Sequence, residues 1–369
     1  MRKIYSNLKR IILKPITFFL ILGFVLFFYV VKYNPVQYIK QQFLQQEEQH
    51  NDKLIENILL DLSRAIEKDP DNTSLLFDRA MYNIENEKFQ SALYDLKQCV
   101  SLDSTLSEAH FFIAKVYFEL SKKPEARSEY PGFAMDYLKI VLDLEPSHYR
   151  AHALLGELYI AYAKYKQAIQ SLNQSLKIEY NQEKTHMLLG YSFKQLEQED
   201  QAINCFRNAI NVNPDFKEAY IQLGQIFHVK KDTLALLYYN NALNLDRNDE
   251  IVLYNKAVFY QSLLQWNEAL QAYSELHNVN PFHANGHYNL GFIHMELGLH
   301  DIAANNFSDA IYSNSRFYEA YYSRGSCFET LGNIAQAESD YRRAIEINSD
   351  YQYAIDALDE LLINNQTYK

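Results

Sequence analysis

The residues best placed for chemistry in this chain are two histidines, His283 and His287, four positions apart. On a helix this spacing puts both imidazoles on one face, which suits a transition metal. Neither a third ligand nor the glutamate of a His-Glu-x-x-His motif stands near them. Histidines also recur at the place of His287 along a 34-residue period, at His110, His152 and His186. We therefore interpret these histidines as packing residues and predict no metal and no other cofactor.

Side chains for covalent or phosphate chemistry form no recognisable motif. The sequence has no P-loop, no Gly-x-Gly-x-x-Gly segment and no Gly-x-Ser-x-Gly segment. Cys99, Cys205 and Cys327 are more than 100 residues apart, and we interpret them as small buried side chains. We predict that the protein is not an enzyme and takes no small-molecule substrate.

Basic residues gather in one segment of an otherwise acidic body. The segment Ser121–Phe133 holds Lys122, Lys123 and Arg127 together with prolines and a glycine, which are turn signals. The simpler interpretation is a tolerated surface loop. The alternative is a contact specific to one partner, on an edge of the molecule.

The elements that must position these residues follow a fixed period. Glycine recurs at 156, 190, 224, 291 and 325, and alanine at 168, 202, 235, 269, 303 and 337, in steps of 33 or 34 residues apart from one gap of 67. A period in this range indicates a stacked array of one structural unit. In the unit that begins at Lys217, apolar residues lie at places 4, 7 and 11 and again at places 20, 24 and 27. These two stripes predict a hairpin of two amphipathic helices.

The pattern strongly resembles the tetratricopeptide repeat (TPR). That family has an aromatic at place 4, Leu at 7, Gly or Ala at 8, Tyr at 11, Ala at 20, an aromatic at 24, Ala at 27 and Pro at 32. Eight units fit it in phase, at 73–106, 107–148, 149–182, 183–216, 217–249, 250–283, 284–317 and 318–351. We expect place 8 to face place 20 at the closest approach of the two helices. We also expect Gly298 and Gly332 to end their helices in a left-handed conformation.

The resemblance implies an all-α, right-handed superhelical solenoid whose concave groove binds a protein or peptide. In such arrays the groove is lined by places 2, 5, 9, 12 and 13 of each first helix, and place 6 is often an Asn that holds a bound backbone. Carried onto this chain, these places give the predicted groove residues: Phe77, Met81, Phe111, Met187, Tyr191, Tyr254, Asn255, Tyr288, Asn289, Phe292 and Tyr322. The Lys and Asn combination that clamps a terminal carboxylate in some relatives is missing. We therefore expect an extended or helical segment held by apolar contacts.

The amino terminus predicts a membrane anchor. Ile16–Val31 carries no charge, and the apolar stretch 11–31 would be about 31 Å long as a helix, with Lys14 snorkelling. A cleaved signal peptide and a buried helix of a soluble domain are the alternatives. The long apolar run and the absence of a small-x-small cleavage site favour an uncleaved anchor.

We predict five regions. They are a cytoplasmic basic tail at 1–10, a transmembrane anchor at 11–31, juxtamembrane helices with a degenerate repeat at 32–72, eight repeats at 73–351 with an insertion at 121–133, and a capping helix and tail at 352–369.

Charge predicts orientation and partners. Residues 1–32 hold six basic and no acidic side chains, so the other 337 residues carry 29 basic and 46 acidic ones, a formal net charge of −17. Such a body repels phosphate backbones, so we expect no nucleic-acid partner. Five basic residues precede the uncharged run Ile16–Val31 and two lie just beyond it. The positive-inside rule then keeps the amino terminus in the cytoplasm and the repeats on the extracytoplasmic, periplasmic side of the inner membrane.

The function that follows is a membrane-tethered scaffold that binds protein or peptide partners in its groove and organises envelope complexes. Two alternatives stay open at this point. The array is a permanent structural subunit of a membrane complex, or it is an accessory chaperone for exported chains.

Overall fold

The computed structural model describes residues 57–367, with side chains as far as 363. All regular structure in this range is helical, with 18 helices and no strand. The helices are α1 (described over 57–68), α2 (Thr73–Glu85), α3 (Phe89–Leu102), α4 (Ser107–Ser121), α5 (Tyr130–Leu144), α6 (Tyr149–Ala161), α7 (Tyr165–Ile178), α8 (Glu183–Gln195), α9 (Glu199–Val212), α10 (Lys217–Val229), α11 (Leu234–Leu245), α12 (Glu250–Ser262), α13 (Trp266–Val279), α14 (Ala284–Glu296), α15 (His300–Ser313), α16 (Tyr318–Thr330), α17 (Ile334–Ile347) and α18 (Gln352–Thr367). The even-numbered helices from α2 to α16 begin at the first residue of each predicted repeat, and each packs on the helix that follows it.

The described residues divide into two compact units. The first ends at Pro146 and contains α1–α5, and the second begins at Ser147 and contains α6–α18. Each unit has its own buried core, built on alanines at place 20 that are fully buried, such as Ala92 in the first unit and Ala269 in the second. The single superhelix through all eight repeats stays a prediction.

The closest approach inside a hairpin differs from the expected one. A Cβ added to the place-8 glycines would lie 2.5–2.8 Å from the side chain at place 24, for example Tyr239 opposite Gly224 and Phe307 opposite Gly291. The place-20 residue contributes only a backbone oxygen, 3.5 Å away from such a Cβ in the case of Ala168. Our prediction that place 8 faces place 20 was therefore wrong in its main contact. Glycine leaves room there for a fully buried ring.

More of the repeats have a residue in the left-handed conformation after their first helix than the sequence indicated. Gly298 and Gly332 have φ of +73° and +78°, as predicted. Five residues at the same place 15 of other repeats are also left-handed without being glycine: Glu87, Ala163, Glu197, Lys231 and Leu264, with φ between 53° and 59°. This conformation costs a residue with a Cβ roughly 1–2 kcal/mol, so the turn is imposed by helix packing on both sides of it.

The insertion is shorter than the predicted segment. Helix α4 continues to Ser121 and α5 begins at Tyr130, so the connecting loop covers 122–129. Pro131 and Gly132 lie in the first turn of α5, where a proline lacks no hydrogen bond that the helix needs. They are a helix start and not the turn that we expected.

The carboxyl-terminal helix closes the second core. On α18, Ala354, Leu358 and Leu361 are buried, and Leu358 and Leu361 pack in one cluster with Tyr341. Asp359, which replaces the place-8 glycine, is exposed.

The predicted tail at 1–10, the anchor at 11–31 and the juxtamembrane segment up to residue 56 lie outside the described residues. From residue 57 onward, no helix is long and apolar enough to cross a bilayer. The three cysteines are buried and free, and burial raises the pKa of each thiol to about 11.

Candidate peptide-binding surface

Three of the predicted groove residues lie in the first unit, on α2 and α4. Phe77 is half-buried and meets the edge of Phe112, with ring centroids 5.6 Å apart. Phe111 is only 5% exposed and packs on the same Phe112 ring at 5.3 Å. Met81 is half-buried. Phe111 is therefore a core residue, contrary to its assignment to an open groove.

The other eight predicted groove residues lie in the second unit, on the first helices of four repeats. On α8, Met187 packs against the core below it, and Tyr191 is 37% exposed, with its ring 6.3 Å from that of Tyr165. Tyr254, Asn255, Tyr288, Asn289, Phe292 and Tyr322 are all half-buried on α12, α14 and α16.

Three of these residues, the place-5 tyrosines, repeat one packing arrangement. Each ring lies on the aromatic at place 24 of its own repeat and on the ring at place 34, just before the next repeat. The three sets are Tyr254 with Tyr273 (6.4 Å) and His283 (5.0 Å), Tyr288 with Phe307 (5.5 Å) and Phe317 (5.0 Å), and Tyr322 with Tyr341 (5.8 Å) and Tyr351 (5.5 Å). One face of each ring therefore joins neighbouring hairpins, so these tyrosines contribute to packing as well as to the predicted groove.

A polar network links the predicted groove residues of α12 and α14. The amide nitrogen of Asn289 donates to the hydroxyls of Tyr273 (2.8 Å) and Tyr254 (3.3 Å). The Tyr273 hydroxyl in turn donates to Oε1 of Gln261 at 2.6 Å. Because both amide hydrogens of Asn289 bond within the protein, the group that remains for a ligand is the acceptor oxygen Oδ1. Asn289 can therefore accept a hydrogen bond from a ligand, and its role in holding a bound backbone stays a prediction.

The candidate metal ligands have structural roles. Nδ1 of His283 accepts the backbone N–H of Gly286 at 2.9 Å, which caps α14. Nε2 of His287 lies 2.9 Å from the carbonyl oxygen of Pro281, and its ring stacks on His277 with centroids 3.9 Å apart. Burial, followed by the neighbouring His287, lowers the pKa of His277 to about 4. Among the described residues, no three or more His, Cys, Asp or Glu side chains form a group that could hold a metal ion.

An ion-pair arrangement that the sequence analysis missed occurs twice. Arg324 at place 7 makes a two-pronged bond to Asp340, with both N–O distances 2.8 Å, and donates to Ser308 at 3.0 Å. In the first unit, Arg79 binds Asp95 at 2.9 and 2.7 Å and Ser63 at 3.1 Å, at the same places of its repeat. The available signal was the arginine itself, since the repeat pattern has leucine at place 7.

Comparison with known proteins agrees with this geometry. A tetratricopeptide repeat model matches residues 318–360, and a TPR repeat model matches 190–231. The crystal structure of the C-terminal part of a TPR repeat-containing protein from Cytophaga hutchinsonii superposes with a TM-score of 0.59, at 14% identity, over 68% of this chain and 99% of that chain. The helical hairpins define the class, an all-α repeat protein. Within that class, the segments 190–231 and 318–360 match tetratricopeptide repeats.

The curated relatives correct one prediction. Protein O-mannosyl-transferase TMTC3 from Homo sapiens is 26% identical over 316 residues, which is 81% of this chain and 30% of the relative, and the Mus musculus protein of the same name is 26% identical over 293 residues, 75% and 28%. Both are named as enzymes, which contradicts our prediction that this protein is not one. The chain spans less than a third of the length of either relative. The mannosyl-transferase activity is therefore attributed only to those relatives.

Proposed function

We propose that this protein is a membrane-tethered TPR scaffold that binds a segment of a partner protein on α12 and α14 of its second unit. TPR repeats generally mediate protein–protein interactions. The observation that carries the proposal is the hydrogen-bond network around Asn289. Its amide nitrogen donates to the hydroxyls of Tyr254 and Tyr273, which fixes the orientation of the amide and leaves Oδ1 as the acceptor for a ligand. A preorganised acceptor beside half-exposed apolar groups suits an extended or helical peptide.

The apolar part of the proposed surface is Phe292, with the outer faces of Tyr254 and Tyr288. Phe292 is half-buried one turn beyond Tyr288 on α14. The tyrosines are shared between the surface and the packing, so removing them tests stability as well as binding. Phe292 and Asn289 are the better residues for a binding test.

The test is site-specific photo-crosslinking in native membranes. A photoreactive residue at position 292 should capture a partner, and Asn289→Ala should weaken that capture. Tyr312 supplies the matched control, because it is 80% exposed on α15 and is not one of the predicted groove residues. Equal capture from positions 292 and 312 would exclude a specific surface on α14.

We also propose that residues 11–31 anchor the chain with the repeats outside the cytoplasm, organising envelope complexes. The charge asymmetry of the flanks supports this orientation. Protease added to intact spheroplasts should digest the repeats. Full protection that is lost on lysis would mean the opposite orientation.

A second candidate function rests on the relatives named as O-mannosyl-transferases. In this case the repeats present protein substrates for mannosyl transfer, in the same chain or in a partner that it recruits. Membranes that contain the protein should then transfer labelled mannose to an acceptor protein. Asn289→Ala should reduce that transfer, while transfer that is the same without the protein would exclude this candidate.

A further inference from the structure

The insertion in the first unit forms one wall of a cleft. The cleft has a volume of about 430 Å³ and lies between α3, α4, the loop 122–129 and the start of α5. Its walls include Tyr94, Tyr117 and Phe133, and its cations are Lys97 and Arg127. It belongs to the first unit, whereas α12 and α14 belong to the second, so the proposed function does not use it.

The loop that builds the cleft is held by two of its three basic residues. Lys123 pairs with Glu87, in the turn between α2 and α3, at 2.6 Å, and its ammonium lies 5.6 Å from the centre of the Phe89 ring. Lys122 pairs with Glu119 at 3.0 Å and lies over the ring of Phe118 at 4.0 Å. These contacts hold the first two residues of the loop against α4 and against the turn between α2 and α3, and the third basic residue lines the cleft.

That third residue, Arg127, has no ion-pair partner among the described residues. Facing it across the cleft, Lys97 lies 5.4 Å from the centre of the Tyr117 ring. Hydrogen bonding to Tyr117 raises the pKa of Lys97, which keeps the ammonium charged at physiological pH. The acidic residues of the loop and its end, Glu125 and Glu129, are exposed and do not line the cleft.

Aromatic side chains complete the site. Tyr94 is 62% and Phe133 is 43% exposed, although the remaining rings of the cluster pack closely, with Tyr117 only 7% exposed and 5.2 Å from Phe133. The cleft therefore offers two exposed aromatic rings, Tyr94 and Phe133, beside two positive charges, Lys97 and Arg127. The rest of the body is strongly acidic, so this combination is local.

We propose that this cleft binds an acidic segment of a partner protein, with its carboxylates at Lys97 and Arg127 and an apolar side chain between Tyr94 and Phe133. Charge complementarity selects the carboxylates, and the exposed rings favour a peptide over a small anion. The site makes a second contact on the scaffold, distinct from α12 and α14.

The test is fluorescence anisotropy with the full-length chain in detergent. The probe is a labelled Gly-Ser dodecapeptide with a central Asp-Leu-Asp, and the comparison peptide carries Asn-Leu-Asn. We expect the acidic peptide to bind about tenfold more tightly than the neutral one, because its two carboxylates meet two exposed cations. The double variant Lys97→Glu, Arg127→Glu should lose this difference.

Matched controls make the result decisive. Lys139→Glu makes one of the same charge reversals on an exposed part of α5 that does not line the cleft, and it should leave binding unchanged. If the glutamate variant loses helicity, Lys97→Gln with Arg127→Gln replaces it, and binding of the acidic peptide should still fall. Equal affinity for both peptides, an equal loss in Lys139→Glu, or displacement by millimolar inorganic phosphate would overturn the proposal.

Discussion

The neighbouring repeats 284–317 and 318–351 differ in the pair of side chains at places 7 and 23. The first has Leu290 and Asn306, and the amide of Asn306 donates to the carbonyl oxygen of Ile302 at 2.7 Å. The second has Arg324 and Asp340, whose side chains are 20% and 8% exposed and form the two-pronged ion pair. Both repeats keep the same glycine-and-ring contact beside this pair, Gly291 on Phe307 and Gly325 on Tyr341.

The two repeats therefore share the shape of the hairpin, while the chemical types of the side chains at places 7 and 23 differ between them. An apolar residue or an ion pair can fill places 7 and 23, provided that the polar groups are satisfied. The glycine at place 8 has no such freedom in these two repeats, because a large ring occupies the space of its Cβ.

The largest expected effect comes from breaking the ion pair on one side. Arg324→Leu leaves the buried carboxylate of Asp340 without its partner, and we expect a loss of about 3 kcal/mol in the free energy of unfolding. The double variant Arg324→Leu, Asp340→Asn copies the neighbouring repeat and should recover most of that loss. Urea unfolding followed by circular dichroism measures both. A double variant as unstable as the single one would contradict the proposed equivalence of the two pairs.

The next effect concerns the contact that the two repeats share. Gly291→Leu must displace the fully buried Phe307, so we expect a loss of about 1–3 kcal/mol from overpacking. Gln336→Leu, on the exposed face of α17, is the control and should change stability little. An unchanged unfolding midpoint for Gly291→Leu would show that the ring can move aside without cost.

A smaller effect, on the pH dependence of stability, is expected from the junction before repeat 284–317 and not from the junction after it. The first junction stacks His277 on His287, whereas Ile311 and Tyr321 occupy the corresponding places at the second. The pKa of His277 is lowered to about 4 in the folded protein and is near 6.5 when unfolded. The unfolded chain therefore binds the proton more tightly below pH 6.5, and stability should fall between pH 6.5 and 4, by about 1–2 kcal/mol after allowance for partial exposure.

The variant His277→Gln isolates this contribution. It should lose less stability than the wild type over that pH range, although the lowered pKa values of His186, His228 and His283 leave a remainder. Thermal unfolding at pH 7 and pH 5 measures the difference. Parallel losses in wild type and variant would exclude His277 as the cause.

The smallest expected effect tests the turn after each first helix. Both of these repeats have glycine at place 15, but the preceding repeat has Leu264 at φ 58°. Leu264→Gly should stabilise the protein by about 1 kcal/mol, and Gly332→Ala should destabilise it by a similar amount. Because Leu264 is 68% exposed, little packing is lost in the first variant. A destabilised Leu264→Gly would mean that its side chain contributes more than the backbone strain costs.

The sequence by itself determined the helical hairpins and their phase. Periodic small and apolar residues are local signals, because a helix places residues three or four apart on one face wherever it lies. Gly298 and Gly332 likewise predicted the turns in which they lie, since glycine readily adopts a left-handed backbone. Lysine and leucine at Lys231 and Leu264 gave no such signal, and packing alone forced the same turn on them.

The tertiary structure decided which side chains are available at the surface. Tyr254, Tyr288 and Tyr322 have the right positions for a groove, but rings at places 24 and 34 pack against each of them. Phe111 also has such a position, but it is buried and packs on Phe112. Asn289 and Arg324 each have a partner 16 residues away: Tyr273 on the second helix of the preceding hairpin, and Asp340 on the second helix of the same hairpin. The distance between two such side chains depends on how the helices are packed, and that is a property of the folded hairpin that no single stretch of sequence contains.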